Sequence, residues 1–156
     1  MTSPTFAEAG IHNTSMGPGV TIVKPVNLYG CSLGEGCFVG PFVEIQKNVS
    51  VGPRTRIQSH SFICELVTIG ADCFIGHGTM FINDRFSDGK PAGGDATKWE
   101  ATTLGDRVSV GSNATILPVS ICSDVVVGAG SVVTRNITEP GIYAGNPAKL
   151  IRRTSA

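Results

Sequence analysis

The sequence predicts an all-β fold, a parallel β-helix of about six triangular coils, with one long inserted loop and a short C-terminal segment. Two observations predict it: apolar residues recur every six positions, and glycine recurs with a period of eighteen. Six is not a helix period, whereas apolar positions two apart with turn residues between them are typical of short β-strands. Each unit of six therefore predicts one strand and one corner, and three units make one coil.

The six-residue repeat is defined by one apolar residue per unit, which we call the anchor. The residue two positions before each anchor is small or β-branched in nearly every unit, which is typical of side chains that fill a narrow interior. The first coil begins at the anchor Met16 and the sixth ends at Val133. The nine consecutive anchors at a spacing of six are Leu33, Val39, Ile45, Val51, Ile57, Ile63, Ile69, Ile75 and Phe81.

Glycine usage divides the units into three faces. On the first and second faces, the residue after the anchor is glycine in nine of twelve units, and on the third face it never is. Glycine is needed where a backbone has a positive φ or lies very close to a neighbouring chain segment. We expect one of these two reasons at the corners that follow the first and second faces. The nine glycines are Gly17, Gly34, Gly40, Gly52, Gly70, Gly76, Gly105, Gly111 and Gly128.

Every irregularity lies where the third face leads into the first. The step from Phe81 to Leu104 is twenty-three residues long, so an excess of seventeen leaves the coil and returns in register. The predicted loop, about residues 84–103, is polar and Gly-rich and carries Trp99, the one tryptophan, near its return. Long loops on rigid repeats often carry function. We expect this one to reach across to another subunit.

Composition limits the classes of function. The chain of 156 residues predicts a single domain over 1–156, and its twelve Lys and Arg balance twelve Asp and Glu, which disfavours nucleic acid or an anionic membrane as a partner. No apolar stretch approaches a membrane span, and the first ten residues lack a signal-peptide pattern, so the sequence predicts a cytoplasmic protein. The five cysteines include no CxxC pair, and we expect packing roles for them rather than a disulfide framework or a metal site.

Three stretches carry a resemblance to a known family: VGSNATILP at 110–118, VVGAGSVVTRNI at 126–137 and GIYAGNPAKLIRR at 141–153. They resemble the hexapeptide-repeat acyltransferases, whose fold is a left-handed parallel β-helix. Within that family, the stretch FIGHGTMFINDRF at 74–86 is similar to the nucleotide-linked aminosugar 3-N-acetyltransferases, in which the equivalent segment reads F-T-N-D. Here Ile82 replaces the threonine, and Ser87 stands where proline is common.

The resemblance implies a homotrimer that transfers acetyl from acetyl-CoA to the amine of a nucleotide-linked aminosugar, at C3, in surface glycan biosynthesis. It places acetyl-CoA in a groove between two neighbouring β-helices. Backbone groups at the corners would bind the pantetheine amides, and the basic C-terminal segment would bind the CoA phosphates, since Arg contacts phosphate in a bidentate way. The expected CoA-binding residues are Gly111, Ser112, Ala129, Gly130, Asn146, Pro147, Lys149, Arg152 and Arg153.

Asn83 and Asp84 match the Asn-Asp of the resembled enzymes and are the first catalytic candidates. Asp84 would hold the amino group and accept its proton, and Asn83 would fix a sugar hydroxyl or the thioester carbonyl. Direct attack by an amine does not oblige the protein to supply a base, because the departing CoA sulfur can take the proton. The alternative is that Asn-Asp only turns the chain out of the coil, since both residues favour turns.

His77 is the third catalytic candidate, and His60 and Arg85 are candidates for substrate binding. Both histidines follow second-face anchors, one coil apart, so we expect them near the same edge, where imidazole suits proton transfer near neutral pH. A solvated corner histidine without a function is the alternative. Arg85 would contact the nucleotide diphosphate, or is otherwise only a surface charge.

Three other functions fit the same repeat. An O-acetyltransferase would need a histidine in the loop, where Arg85 and Phe86 stand instead. A carbonic anhydrase of this fold would need two histidine metal ligands at short spacing, a pattern that the chain lacks. A non-enzymatic scaffold would not need the basic segment that follows the GNPAK motif.

Overall fold

The computed structural model describes residues 3–154, and nearly all of its regular structure is short parallel β-strands in three sheets. We name the sheets by the faces that the sequence predicts. Within 3–154, no helix has the length and apolar character needed to cross a bilayer. One 3₁₀ helix, Ala96–Lys98, lies in the inserted loop.

The strands follow the predicted order of faces. The first face contains Ser15–Met16, Ser32–Leu33, Ser50–Val51, Val67–Ile69, Thr102–Leu104 and Ser120–Ile121. The second face contains Thr21–Ile22, Phe38–Val39, Arg56–Ile57, Phe74–Ile75, Ser109–Val110, Val125–Val127, Gly141–Ala144 and Lys149–Arg152. The third face contains Ile11–His12, Asn27–Tyr29, Glu44–Ile45, Phe62–Ile63, Met80–Phe81, Thr115–Ile116 and Val132–Val133.

The anchors stack in register and form the core, which confirms the predicted fold class. Ile57 pairs with Ile75, and Ile75 pairs with Val110 across the insertion, so the coil resumes in register after the loop. All three side chains are fully buried. The helix has about seven turns rather than six, because Ile11–His12 adds a strand before the first predicted coil and Gly141–Ala144 adds one after the last.

The nine glycines after the anchors are required by close approach and not by a positive φ. A methyl group at Gly52 would stand 2.5 Å from the carbonyl carbon of Gly70 in the next coil, where neither backbone can yield. The left-handed conformation falls instead three residues after the anchor, where many side chains besides glycine adopt it. Those residues are Gly19, Gly36, Phe42, Arg54, His60, Asp72, Gly78, Arg107, Asn113, Asp124 and Gly130.

Three edges join the faces, and we number them in chain order. The first edge joins the first face to the second, the second edge joins the second face to the third, and the third edge joins the third face to the first. The inserted loop leaves the third edge after Phe81 and returns at Thr102. At the C-terminal end, Lys149–Arg152 folds back on Gly141–Ala144 as the one antiparallel pair among the described strands.

Candidate functional site

The second edge carries both candidate histidines on successive coils. Ser59 and His60 form one corner, and His77 and Gly78 form the next. The two corners are tied by backbone hydrogen bonds, since the Gly78 N–H donates to the Ser59 carbonyl at 3.0 Å. The predicted neighbourhood of His60 and His77 is therefore present in the fold.

His77 is exposed and held on one side only. Its Nδ1 lies 2.8 Å from the Ser59 hydroxyl, at hydrogen-bond distance, and its carbonyl accepts from the Asn113 N–H at 2.8 Å. Because Nδ1 is engaged by Ser59, Nε2 is the ring nitrogen that can meet a ligand. Nothing in the sequence pattern singled out Ser59, although the eighteen-residue spacing to His77 would have placed the two side chains on one column.

His60 is held differently, by stacking. Its ring lies 4.8 Å from the Phe42 ring, centroid to centroid, with 30° between the planes. Both residues adopt the left-handed conformation, and the Phe42 side chain remains largely exposed. His60 thus forms an aromatic pair at the corner that precedes His77.

Asp84 closes the base of the inserted loop. Its Oδ1 accepts the Phe86 N–H at 2.9 Å and its Oδ2 accepts the Ala92 N–H at 2.8 Å. The carboxylate therefore has a structural role at the turn, as the alternative interpretation expects of Asp in this position. Each oxygen still has lone-pair capacity for a further donor.

Asn83 also joins the loop to the coil. Its side-chain amide donates to the Glu65 carbonyl at 3.3 Å, and its own carbonyl accepts the Glu100 N–H at 2.9 Å. Arg85 pairs with the Glu100 carboxylate at 3.2 Å and donates a hydrogen bond to the Pro118 carbonyl. These contacts seal the loop to the third edge.

Glu65 is a polar residue of this region that the sequence analysis missed. It lies one coil before Asn83 on the third edge, and its side chain is only 12% exposed. The Lys47 ammonium stands 3.6 Å from the Glu65 carboxylate. The backbone N–H of Glu65 donates to the side-chain oxygen of Gln46 at 3.3 Å. Burial, together with the charges of Glu44 and Glu65, raises the pKa of the nearby Tyr29 hydroxyl.

The structure does not bring the two groups of catalytic candidates together within one chain. His77 precedes the strand Met80–Phe81, and Asp84 follows it. The second and third edges are thus separated by the whole width of the third face. His77 and Asp84 therefore lie at opposite ends of this face.

The expected pantetheine contacts lie on the second edge. Ser112 follows His77 on the same column of the edge, and Ala129 follows Ser112 one coil later, with Gly111 and Gly130 beside them. The Gly130 N–H donates to the Ser112 carbonyl at 2.9 Å. The edge is therefore a continuous line of small side chains from the histidines toward the C-terminal end.

The basic C-terminal residues are divided between two edges. Lys149 pairs with Ala144 at the end of the second face that adjoins the second edge. Ala144 lies beside Gly128 of the second edge, because a methyl group added to Gly128 would approach the Ala144 side chain. Arg152 pairs with Ile142 farther back, and Arg153 forms an ion pair of 2.7 Å with Glu139. Asn146 and Pro147 form the turn between the two strands.

A cavity of about 630 Å³ lies at the opposite end of the second face, near the first edge. Its two lining arginines, Arg107 and Arg153, are already paired with Asp124 and Glu139. Of the three basic residues at the end of the chain, Lys149 is consequently the one that lies beside the line of small residues on the second edge.

Two family profiles match separate parts of the chain. The profile described as the hexapeptide repeat of succinyl-transferase matches residues 101–135, and the one described as the bacterial transferase hexapeptide, six repeats, matches residues 30–65. The bifunctional protein GlmU of Trichodesmium erythraeum (strain IMS101) is 33% identical over 90% of this chain. The chain covers only 26% of that relative, so it spans about a quarter of its length.

Solved structures share the fold along most of the chain. A perosamine N-acetyltransferase from Caulobacter crescentus, crystallised as a His-to-Asn variant with CoA and GDP-perosamine, is 27% identical, with a TM-score of 0.61 over 88% of this chain and 55% of the other. The N-acyltransferase AntD from Bacillus cereus, in complex with dTDP and coenzyme A, has a TM-score of 0.80 at 23% identity over 93% of this chain and 86% of the other, a likeness of fold alone. Residues 30–65 and 101–135 thus carry hexapeptide repeats of the kind described for transferases.

Proposed function

We propose that this hexapeptide-repeat protein is an acetyl-CoA-dependent N-acetyltransferase that acts on a nucleotide-linked aminosugar, with the amine at C3, in surface glycan biosynthesis. The observation that carries the proposal is the second edge, where His77 lies at one end of a line of small residues that continues through Ser112 and Ala129. Such a line of small side chains leaves room beside the coil for an extended chain with amide groups, which describes pantetheine. The likeness to the Caulobacter N-acetyltransferase crystallised with CoA and GDP-perosamine supports a CoA thioester as the donor and a nucleotide-linked aminosugar as the acceptor.

The reaction needs an unprotonated amine aligned on the thioester carbonyl. The amine nitrogen attacks the carbonyl carbon, a C–N bond forms, and the C–S bond breaks as the tetrahedral intermediate collapses. One proton leaves the nitrogen and one is gained by the departing CoA sulfur. The products are the acetamido sugar and free CoA thiol, with no net uptake or release of protons beyond the amine's own ionisation.

We assign this proton transfer from the amine to the sulfur to His77. Its Nε2 accepts the proton from the attacking amine, and the resulting imidazolium returns a proton to the sulfur. An imidazole suits both steps because its ordinary pKa lies near neutral pH. The ring is exposed on the second edge, and Ser59 engages the other nitrogen.

Asp84 and Asn83 then belong to the acceptor side, and they come from a second copy of the chain. Because one chain separates the second and third edges by a full face, a site that uses both needs the second edge of one copy beside the third edge of another. A homotrimer with sites between its subunits meets this need, since each copy offers both edges. Asp84 would orient the amine through a free lone pair, Asn83 a sugar hydroxyl, and Arg85 the diphosphate.

An acceptor panel tests the proposal. The protein is incubated with acetyl-CoA and dTDP- or UDP-linked 3-amino sugars, 4-amino sugars and hydroxyl-only controls, while free thiol is followed. We expect turnover with the amino sugars and the highest kcat/KM with a 3-amino sugar. Turnover with hydroxyl acceptors alone would replace the proposal by O-acetyl transfer, and no turnover with any acceptor would favour a scaffold.

The C-terminal segment provides a separate test of the acetyl-CoA site. Truncation after Asn146 removes Lys149 and the antiparallel strand, and we expect it to raise the KM for acetyl-CoA more than any other kinetic constant. The matched control is Lys149→Gln, which removes one charge and keeps the strand. Unchanged acetyl-CoA affinity in both variants would exclude this segment as a phosphate site.

A further inference from the structure

We propose that Ser59 is a positioning residue for His77, and that its hydroxyl holds the imidazole through Nδ1 so that Nε2 faces the reacting amine. The inference rests on the proposed function and extends it to a residue one coil away from the assigned base. Ser59 does not touch the substrate in this proposal. It acts only through the histidine.

The geometry is that of a specific pair and not of a crowded corner. The Ser59 hydroxyl lies 2.8 Å from Nδ1 of His77, although the two residues are eighteen positions apart in the chain. The backbone fixes both ends of the pair, because the Gly78 N–H donates to the Ser59 carbonyl and the Asn113 N–H donates to the His77 carbonyl. Both side chains therefore start from parallel positions on neighbouring coils.

A hydroxyl is well suited to this role on chemical grounds. It can accept a hydrogen bond from Nδ1–H or donate one to a bare Nδ1, so it can hold the ring in the neutral and in the protonated state. The hydrogen bond on one ring nitrogen also decides which nitrogen is left for the substrate. A base that must take a proton from the amine and return one to sulfur needs a partner that tolerates both states.

The fold gives the ring little other support. His77 is exposed, whereas its neighbour along the edge, His60, is stacked on Phe42. Without the Ser59 hydroxyl, the His77 ring would be free to rotate about its side-chain torsions. Loss of the hydroxyl should therefore lower the fraction of productive encounters and leave substrate binding nearly unchanged.

Kinetics of Ser59→Ala, Ser59→Thr and His77→Ala test the proposal. We expect Ser59→Ala to lower kcat about 10-fold with KM for both substrates within about twofold, and Ser59→Thr to recover most of the rate because it restores the hydroxyl. Adding Ser59→Ala to His77→Ala should cost nothing further, since the serine acts only through that ring. The control is Ser50→Ala, an exposed serine of the same coil on the first face, which should keep the wild-type rate.

A second measurement reads the hydrogen bond directly. The chain contains three histidines, so the ring nitrogens of ¹⁵N-histidine-labelled protein can be assigned by single substitutions. We expect Ser59→Ala to shift the Nδ1 resonance of His77 and leave that of His12 unchanged, with Ser59→Thr close to wild type.

The outcomes separate this inference from the proposed function. A wild-type Nδ1 resonance in Ser59→Ala, a wild-type kcat in that variant, or an equal loss in the His77→Ala background would each overturn the positioning role. If the wild-type protein acetylates no aminosugar at all, the proposed function fails instead. The resonance would then still decide whether Ser59 orients His77.

Discussion

The second and third edges are made from the same repeat, yet the polar side chain is exposed on the second edge and bound to backbone groups on the third. On the second edge every coil turns without interruption, and the exposed His77 ring is hydrogen-bonded within residues 3–154 through Nδ1 alone. On the third edge the coil opens for the inserted loop, and Asp84 has both oxygens engaged by loop N–H groups. A regular corner leaves its side chains for a ligand, whereas an opened corner needs them to satisfy backbone groups that have lost their partners in the coil.

The comparison predicts that His77 matters most for turnover. His77→Ala removes the free imidazole and leaves the coil intact, so we expect kcat to fall about 100-fold, in the range typical of a lost acid–base group. The measurement is steady-state kinetics with the best amino sugar of the panel. A variant with more than a third of the wild-type kcat would show that the regular edge does not hold the base.

Replacing glycine by alanine should lower the free energy of unfolding more on the second edge than in the inserted loop of the third edge. A methyl group at Gly76 on the second edge would stand 2.7 Å from the Ser112 nitrogen, so Gly76→Ala should destabilise the protein by about 2 kcal/mol. Gly89 in the loop has a φ of +71° and nothing within 4 Å of the added methyl group, so Gly89→Ala should cost about 1 kcal/mol. Urea unfolding at one fixed chain concentration compares the pair, and equal losses would contradict the packing argument.

Asp84→Asn examines the opened edge. The amide keeps one acceptor oxygen but turns an NH₂ group toward one of the two N–H donors, so the base of the loop should loosen. We expect kcat to fall roughly 10-fold, because the amine loses the charged oxygen that orients it, while the oligomeric state stays that of the wild type. Kinetics, limited proteolysis of the loop and sedimentation would be measured on the same sample; wild-type turnover with a cleaved loop would leave Asp84 a purely structural role.

The ion pairs of the first edge should have the smallest effect on stability, and they serve as a reference for the other two edges. Arg54 pairs with Asp72 and Arg107 with Asp124, which holds the pKa of both carboxyls below the ordinary value. Because the folded-state pKa is lowered, the stabilisation is present above about pH 4 and is lost as the pH falls through the folded-state pKa.

Both pairs are exposed, so their contribution is small and sensitive to salt. The double variant Asp72→Asn/Asp124→Asn should lower Tm by roughly a few degrees at most at pH 7 and by less near pH 2. Thermal melts at the two pH values provide the test. A difference that is just as large at pH 2 would mean that the two side chains stabilise the coil by something other than charge.

Several elements could be predicted from the sequence because the spacing of the repeat specifies them. The anchors fix which side chains enter the core, and the excess of seventeen residues locates the loop at one edge. The neighbourhood of His60 and His77 followed from counting alone. The positive φ three residues after most first-face and second-face anchors did not, since Phe42, Arg54 and Arg107 are poor indicators of a left-handed backbone.

The candidate site was less predictable from sequence. Ser59 and Glu65 carried no signal as single letters, and their partners lie eighteen or more residues away. Burial of Glu65 on the third edge could not be foreseen either, because corner positions are usually solvated. Such contacts depend on which side chains share a column, and a column exists only once the coils are stacked.

The sequence by itself determined the coil, its register and the point where the loop leaves, because a regular period leaves one arrangement in which the anchors from Leu28 to Val133 are all buried. Only the tertiary structure decided that Asp84 binds its own loop, that Lys149 and Arg153 point to different edges, and that His77 and Asp84 stand a full face apart. These facts depend on distances across coils and around the triangle. A linear pattern of six residues specifies the order of the corners but not how far apart the side chains at two corners lie.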